Sequence, residues 1–393
     1  MLREVNLRGA PGGYRVRFGS CSPDEWTRLT LGFDDLVLYQ TWPYGAVRWG
    51  ERNLAHVVVT RDGDGRAAAA AQVRLARLPL PGLGVGVAYV PWAPLFRPGG
   101  SGPDLDACRL VLRALRSECA GRLGLCLCLR PQDGGGESRE DGGVRGVLEA
   151  EGFALQPGAD RYETVELDLS LAPEEIRKGA ARAWRQQLAR GERNGLDVAE
   201  GTDPSFYDAF LWIYAEMKER KQFTTFVDAR EFRAVQERLP EALRMRILLC
   251  RQAGEPVAAL VYSALGKRAV GILAATGPRG REMRAGHVLW WRAVELLHER
   301  GFRRLDMGGI DAARAPGPAQ FKLGLAGKTG AVVRHIGQFE APGGWLSRLC
   351  LGAGSALVAA YRRIRRARPD AGRGADAPGA APGEKEEVAS DRS

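Results

Sequence analysis

Histidine is scarce in this chain: four in 393 residues, at 56, 287, 298 and 335, and none stands in metal-ligand spacing. That argues against a histidine-based zinc or iron centre. Cysteine offers no substitute. The seven thiols (Cys21, Cys108, Cys119, Cys126, Cys128, Cys250, Cys350) are odd in number and include no Cys-x-x-Cys pair, so neither a zinc site nor a disulfide framework is expected. Cys126 and Cys128 alternate in Leu125–Leu129 and share one face of an expected strand. Buried thiols in a reducing compartment fit that pattern. The N-terminus, Met-Leu-Arg-Glu-Val-Asn, lacks an apolar run, so no signal peptide and a cytoplasmic location are expected. Trp345–Tyr361 is apolar apart from Arg348, but it falls short of the roughly 20 residues a spanning helix needs. Neither a metal nor a redox cofactor is implied.

What is present is ordinary for a soluble globular protein: 45% hydrophobic and 26% charged residues. The length exceeds one ordinary core and predicts two domains plus extensions. Lys and Arg number 57 against 47 acidic residues, a formal charge of +10. That excess favours an anionic partner, whether RNA, a pyrophosphate-bearing precursor or an anionic membrane surface. A generally basic, arginine-rich composition would give the same number.

Turn residues and alternation predict strands at Asp35–Gln40, Leu54–Thr60, Ala68–Leu75 and Val85–Val90, then a helix from Pro103 to about Ala120 and a strand at Leu123–Leu129. The second half repeats the plan. Strands are expected at Met245–Arg251, Pro256–Leu265 and Ala269–Ala275, a helix from Ala285 to Arg300, and a strand at Phe302–Asp306. This parallel of element order predicts a duplicated α/β (α+β) fold with mixed sheets and flanking helices, one domain over 20–170 and the other over 171–340. Between them, Ala172–Asn194 reads as one helix carrying Arg177, Lys178, Arg182, Arg185, Arg190 and Arg193, followed by a helix over Pro204–Lys221. A helix over 341–368 with a basic end fits an interfacial anchor, allowing peripheral contact with the inner membrane surface, and 369–393 reads as disordered.

The densest chemistry runs from Arg303 to Gly327: a short strand ending in Asp306-Met-Gly-Gly309, a loop, then Phe321-Lys322-Leu-Gly324-Leu-Ala-Gly327. This resembles the FemAB family signature, Asp-x-Gly-Gly, a loop, then Phe-Lys-x-Gly-Phe-Gly. The chain departs from it at Gly324–Gly327, where Leu325 and Ala326 stand between the glycines. The resemblance implies two tandem GNAT-like acyltransferase domains. It also implies transfer of an amino acid from aminoacyl-tRNA to an amine of a nucleotide- or lipid-linked peptidoglycan precursor. It assigns Lys322 to the tRNA end of the donor or to the transition state. Independently, a fixed cation suits aminolysis of an ester, because the tetrahedral state carries negative charge on oxygen.

Asp306 and Asp311 flank the Gly-Gly turn, where a carboxylate could take or orient the amine proton; Asp is equally at home in turns. Arg220, beside Lys218 and Lys221, matches an arginine associated in the family with precursor phosphate, and Arg offers a planar fork for phosphate oxygens. Its place at a helix C-terminus is also favourable for any cation. Phe321 and Tyr262 could line the cleft, Tyr262 alternatively being core packing. Gln40-Thr41-Trp42 resembles the family's Gln-Ser-x-x-aromatic element; no lysine for phosphate follows it, and Arg48 is the nearest substitute. The basic helix Arg177–Arg193 could meet tRNA backbone or be a solvated face.

Two rivals follow from other features. Arg97-Pro-Gly-Gly-Ser-Gly102 satisfies the Gly-rich pattern of coenzyme A–binding GNAT proteins, which points to an acyl-CoA-dependent N-acyltransferase acting on a sugar, peptide or lipid amine. The corresponding Arg281-x-x-Arg284-x-Gly286 puts an arginine where the first glycine belongs, against coenzyme A in the second domain. A catalytically silent membrane-binding protein is the other alternative.

Overall fold

The computed structural model describes residues 1–7, 9, 11–77, 85–132, 143–156, 162–221, 228–313 and 315–344. The stretch 133–143, a Gly/Glu/Asp-rich loop by its sequence, lies outside them but for its last residue, as does Gln222-Phe223, which follows Arg220 and Lys221. Of the helix expected over 341–368 only 341–344 is described, Ala341 ending a strand, and the tail expected over 369–393 lies outside the described residues. The described chain forms two units, one of Met1–Phe33, the described part of Tyr39–Arg161 and residues 336–344, the other of Asp34–Leu38 and Tyr162–His335.

The first unit holds β1 (Leu2–Glu4), β2 (Tyr14–Gly19), β3 (Leu54–Arg61), β4 (Ala67–Arg77), β5 (Gly86–Pro91), β6 (Cys126–Arg130) and β7 (Ala154–Leu155), with α1 (Pro23–Thr30), α2 (Trp42–Trp49), α3 (Leu105–Leu115) and α4 (Gly143–Ala150). β1 to β5 form an antiparallel meander, and β5 pairs in parallel with β6 across α3. Alternation decides the core: Val57, Val59, Ala69, Ala71, Ala88, Val90, Leu127 and Leu129 point to one face, where α3 supplies Leu110, Val111 and Leu115. The expected strand at Asp35–Gln40 is instead irregular, ending in a 3-10 turn at Leu38–Gln40. The Gln40 carbonyl is taken by the Trp26 indole at 2.7 Å, and the Asp34 carbonyl just before the segment by the Lys267 amide at 2.8 Å.

The second unit holds β8 (Glu163–Asp168), β9 (Asp197–Gly201), β10 (Arg246–Gln252), β11 (Glu255–Leu265), β12 (Arg268–Thr276), β13 (Arg304–Gly309) and β14 (Gly330–Arg334). Its helices are α5 (Pro173–Gly179), α6 (Arg182–Glu192), α7 (Pro204–Lys221), α8 (Ala229–Arg238), α9 (Pro278–Glu282), α10 (Ala285–Glu299) and α11 (Pro316–Ala326). β9 to β12 run antiparallel, then β12 pairs in parallel with β13 across α9 and α10. The duplicated plan is therefore real. Leu248, Leu260, Tyr262, Leu305 and α10's Leu289, Val294 and Leu297 share one core. α7 packs against β10, β11 and β12. By alternation, their residues outside that core (Ile247, Leu249, Ala259, Val261) point to the opposite face, where α7 lies.

One exchange departs from the expected boundary near residue 170. β8 lies between β13 and β14 of the second sheet, while β15 (Phe339–Ala341), the last strand among the described residues, lies between β6 and β7 of the first. Each sheet is completed by a strand from beyond its own stretch of sequence.

The predicted 172–194 helix is also two helices. Ala180 and Ala181 turn extended, so that Ala181 N–H donates to Gly324 O at 2.8 Å and Gly179 O accepts from Lys328 N–H at 3.0 Å. Backbone contacts with the end of α11 override the local helical preference. They also account for the motif's glycines. A Cβ on Gly324 would press on Trp184, and one on Gly327, at φ +49°, would overlap the Gly179 carbonyl.

Candidate active site

β12 and β13 pair in parallel only at Arg268–Val270 against Arg304–Asp306 and then diverge. In the first unit, by contrast, β5 and β6 stay paired from Val87–Cys126 to Pro91–Arg130. An opening beyond the carboxyl ends of parallel strands is where α/β sheets receive ligands, and only the second unit's parallel pair splays along its described length. β12 carries a bulge at Ile272 just beyond the point of parting, Leu273 pairing with Val261 and Gly271 with Tyr262. Gly271 lies against the Trp290 ring, a Cβ there meeting Cη2 at 2.6 Å.

Lys322 and Asp306 meet at the tip of β13. The Lys322 ammonium, carried in the middle of α11, donates to Gly309 O at 2.8 Å and Gly308 O at 3.2 Å. Gly308 has φ +81°, and a Cβ on it would stand 3.6 Å from that ammonium. The Asp306 carboxylate is 3% exposed and accepts from the Gly308 amide at 2.8 Å, Arg268 at 2.7 Å and the Thr164 hydroxyl. Arg268 also pairs with buried Glu166. Asp306 is thus an ion-paired anchor that sets the turn presented to Lys322, not a carboxylate aimed into the opening. Asp311, half-buried, accepts the Ala315 amide through its backbone carbonyl at 2.7 Å.

Phe321, half-buried, belongs to an aromatic trio that sequence reading missed. Its ring lies 4.8 Å from His287 and 5.9 Å from Trp184, and Trp184 and His287 are 5.1 Å apart. Burial, then the Arg284 charge, pushes the His287 imidazole down to about 4, leaving it neutral at physiological pH. The three residues come from α6, α10 and α11, so no local spacing could reveal them. At the head of α10, Arg284 adopts the left-handed conformation, φ +62°, that glycine ordinarily supplies.

The remaining expected residues are elsewhere. Tyr262 is fully buried rather than lining a cleft; its hydroxyl donates to Glu200, which Arg300 and Arg246 also hold. Burial and then the Glu200 carboxylate push its phenol pKa up. Arg220 is exposed at the end of α7. Trp42 opens α2 in the first unit and is half-buried. Gln40 just before it is structural: its amide bridges β4 and β5, receiving Gln72 N–H at 2.8 Å and donating to Pro91 O at 2.5 Å. Arg48 lies over the Tyr44 ring at 5.9 Å, and Arg74, unmarked in the sequence, lies over Trp49 at 5.7 Å. Burial, then the nearby Arg48 charge, pushes the Arg74 guanidinium down. In the Arg97–Gly102 stretch the helix start is already taken. Asp104 caps α3 through the Ala107 amide at 3.0 Å and is held by Arg61 at 2.7 Å and Tyr14 at 3.0 Å. A carboxylate there opposes a pyrophosphate.

Among the described residues no cluster has the makings of a metal site, and no helix is long and apolar enough to cross a membrane.

Residues 176–323 match the family model described as an acetyltransferase (GNAT) domain. The fold is similar to that of FemX, at TM-score 0.69 and 14% identity over 85% of this chain and 98% of that one. It is also similar to a conserved protein of unknown function from Bacteroides thetaiotaomicron VPI-5482, at TM-score 0.53 and 12% identity over 83% and 98%. No curated protein matches. At such identities the likeness to these structures is one of fold.

Proposed function

From the premise that the chain is a GNAT-type acyltransferase with a FemAB-like tandem fold, we propose that it forms a peptide bond between an aminoacyl group carried by tRNA and an amine of a peptidoglycan precursor. The observation that carries this reading is Lys322 at the tip of β13, in the opening where β12 and β13 part. Its ammonium is fixed by two carbonyls and half-buried, so it is pre-aimed and partly desolvated.

In the proposed reaction the acceptor amine attacks the ester carbonyl. A C–N bond forms, the carbonyl oxygen becomes an oxyanion beside Lys322, and collapse breaks the ester C–O bond. The proton lost by the amine ends on the departing ribose oxygen. Asp306 acts as a positioning residue for the Gly308–Gly309 turn. Phe321, braced edge-on by His287 and buried Trp184, offers one half-buried ring on which a terminal base could stack. Arg220 and, in the first unit, Arg48 with Arg74 are the candidates for precursor phosphate. Trp42 and Tyr262 act through packing.

A second reading keeps acyl-CoA as donor, favoured by the match to an acetyltransferase domain. Arg284 in the glycine position and Asp104 at the head of α3 weigh against it. The test is to incubate the protein with a labelled charged-tRNA pool and precursor, with and without ribonuclease, beside labelled acetyl-CoA. Ribonuclease-sensitive transfer is expected. Transfer from acetyl-CoA alone would replace the first reading with the second.

A further inference from the structure

Two glycines link the Lys322 ammonium to the indole of Trp290. A Cβ on Gly308 would stand 3.6 Å from the ammonium and 3.0 Å from Gly271 O. One on Gly271 would stand 2.6 Å from Trp290 Cη2, 3.5 Å from Cζ2 and 3.5 Å from Met307 O. The path from the cation to the ring thus runs over two residues that carry no side chain. Gly271 is also the first residue of β12 past its last parallel pair, Val270 with Asp306, so it stands at the apex of the opening. The six-membered edge of the indole closes that apex from the α10 side.

The ring is held in place. Trp290 is 6% exposed and belongs to the core that contains Leu260, Leu289, Val294, Leu305 and Met307. Interiors are close-packed, so a ring seated there has no empty space to swing into. An ester carbonyl with its oxygen at Lys322 carries two substituents, the acyl chain and the carrier oxygen. A nucleotide or coenzyme carrier is bulky and needs the open mouth between the strands, which leaves the apex to the acyl chain. Glycine walls and a fixed aromatic floor suit a short chain and oppose a branched or aromatic one.

We propose that Trp290 is the residue that limits the size of the acyl group this protein transfers. The proposal rests on the functional reading only for the place of the carbonyl at Lys322, and it holds for either carrier.

One tRNA species charged with alanine, leucine or phenylalanine keeps the carrier constant while the acyl group grows. By kcat/KM, the wild-type protein should transfer alanine over phenylalanine by about tenfold or more, and Trp290→Leu should raise phenylalanine relative to alanine roughly tenfold. If the leucine variant misfolds by circular dichroism, Trp290→Phe, which keeps a ring in the core, should move the ratio the same way by less. A wild-type protein indifferent to acyl size overturns the proposal. An equal loss with all three donors does so too, because it makes Trp290 a packing residue alone. Acetyl-, butanoyl- and phenylacetyl-CoA, run beside the charged tRNAs, separate this proposal from the functional reading. Size selectivity that relaxes in the variant with coenzyme A donors alone keeps the role of Trp290 and removes the tRNA reading. Transfer from charged tRNA with an unaltered ratio does the reverse.

Discussion

Lys322 and Asp306 hold the same glycine turn from two sides: the carboxylate takes the Gly308 amide at 2.8 Å, while the ammonium takes the Gly308 and Gly309 carbonyls at 3.2 and 2.8 Å. One residue sets the backbone and the other uses it as a rest. Their contributions should therefore separate in experiment.

Lys322→Ala should lower turnover more than tenfold while thermal unfolding moves little, because only hydrogen bonds at a partly exposed turn are lost. Lys322→Arg keeps the charge but not the compact head, and should recover only part of the rate. Near-wild-type turnover in the alanine variant would remove Lys322 from the chemistry.

Arg268→Met removes the cation shared by Asp306 and Glu166, both buried. Two carboxylates are then left facing each other, and stability should fall by about 3–5 kcal/mol. Urea denaturation measures it; a loss under about 1 kcal/mol would show that Arg304, 3.5 Å from Glu166, suffices.

Gly327→Ala places a Cβ against the Gly179 carbonyl at a backbone conformation, φ +49° and ψ −118°, that L-residues avoid. A loss of about 3 kcal/mol is expected. The junction of α5 and α6 should open with it, which hydrogen exchange at the Ala181 and Lys328 amides would register. Protection equal to wild type would refute the coupling.

His56 gives a pH prediction. It is 1% exposed, accepts the Cys21 amide at Nδ1 (3.2 Å) and meets Gln72 through Nε2 (3.3 Å), so it is folded as the neutral tautomer. Burial pushes its pKa down to about 4. As pH falls below about 6.5 the unfolded chain takes up the proton first, so stability drops until the folded pKa is reached, by about 3 kcal/mol in total. His56→Gln should flatten the dependence of the urea midpoint between pH 6.5 and 4; an unchanged slope would assign it to other groups.

Much of the fold was legible where period and burial agree. β10, β11 and β12 and helices α7 and α10 start and stop within a residue or so of their expected bounds, because each buries one continuous face. What tertiary contacts decide was not legible. The helix break at Ala180–Ala181 exists because α11 takes those backbone groups, and nothing in 172–194 alone encodes it. The same holds for the site. Phe321-Lys322 and Asp306 stood out as a contiguous motif. Trp184 and His287, about 100 residues apart and farther still from Arg74, carry no local mark. Tyr262 misled because a tyrosine on a strand signals neither cleft nor core, and Glu200, its partner, lies on β9, beyond β10.

The exchange of β8 and β15 bears on how the protein can be divided. A fragment ending at residue 335 would lack the strand that joins β6 to β7, and one beginning after residue 168 would leave β13 and β14 without their shared neighbour. Halves cut at the apparent repeat boundary would each expose an unpaired sheet edge and associate with whatever completes it. The duplication is thus locked: two copies of one plan whose sheets can no longer be inherited, expressed or evolved apart.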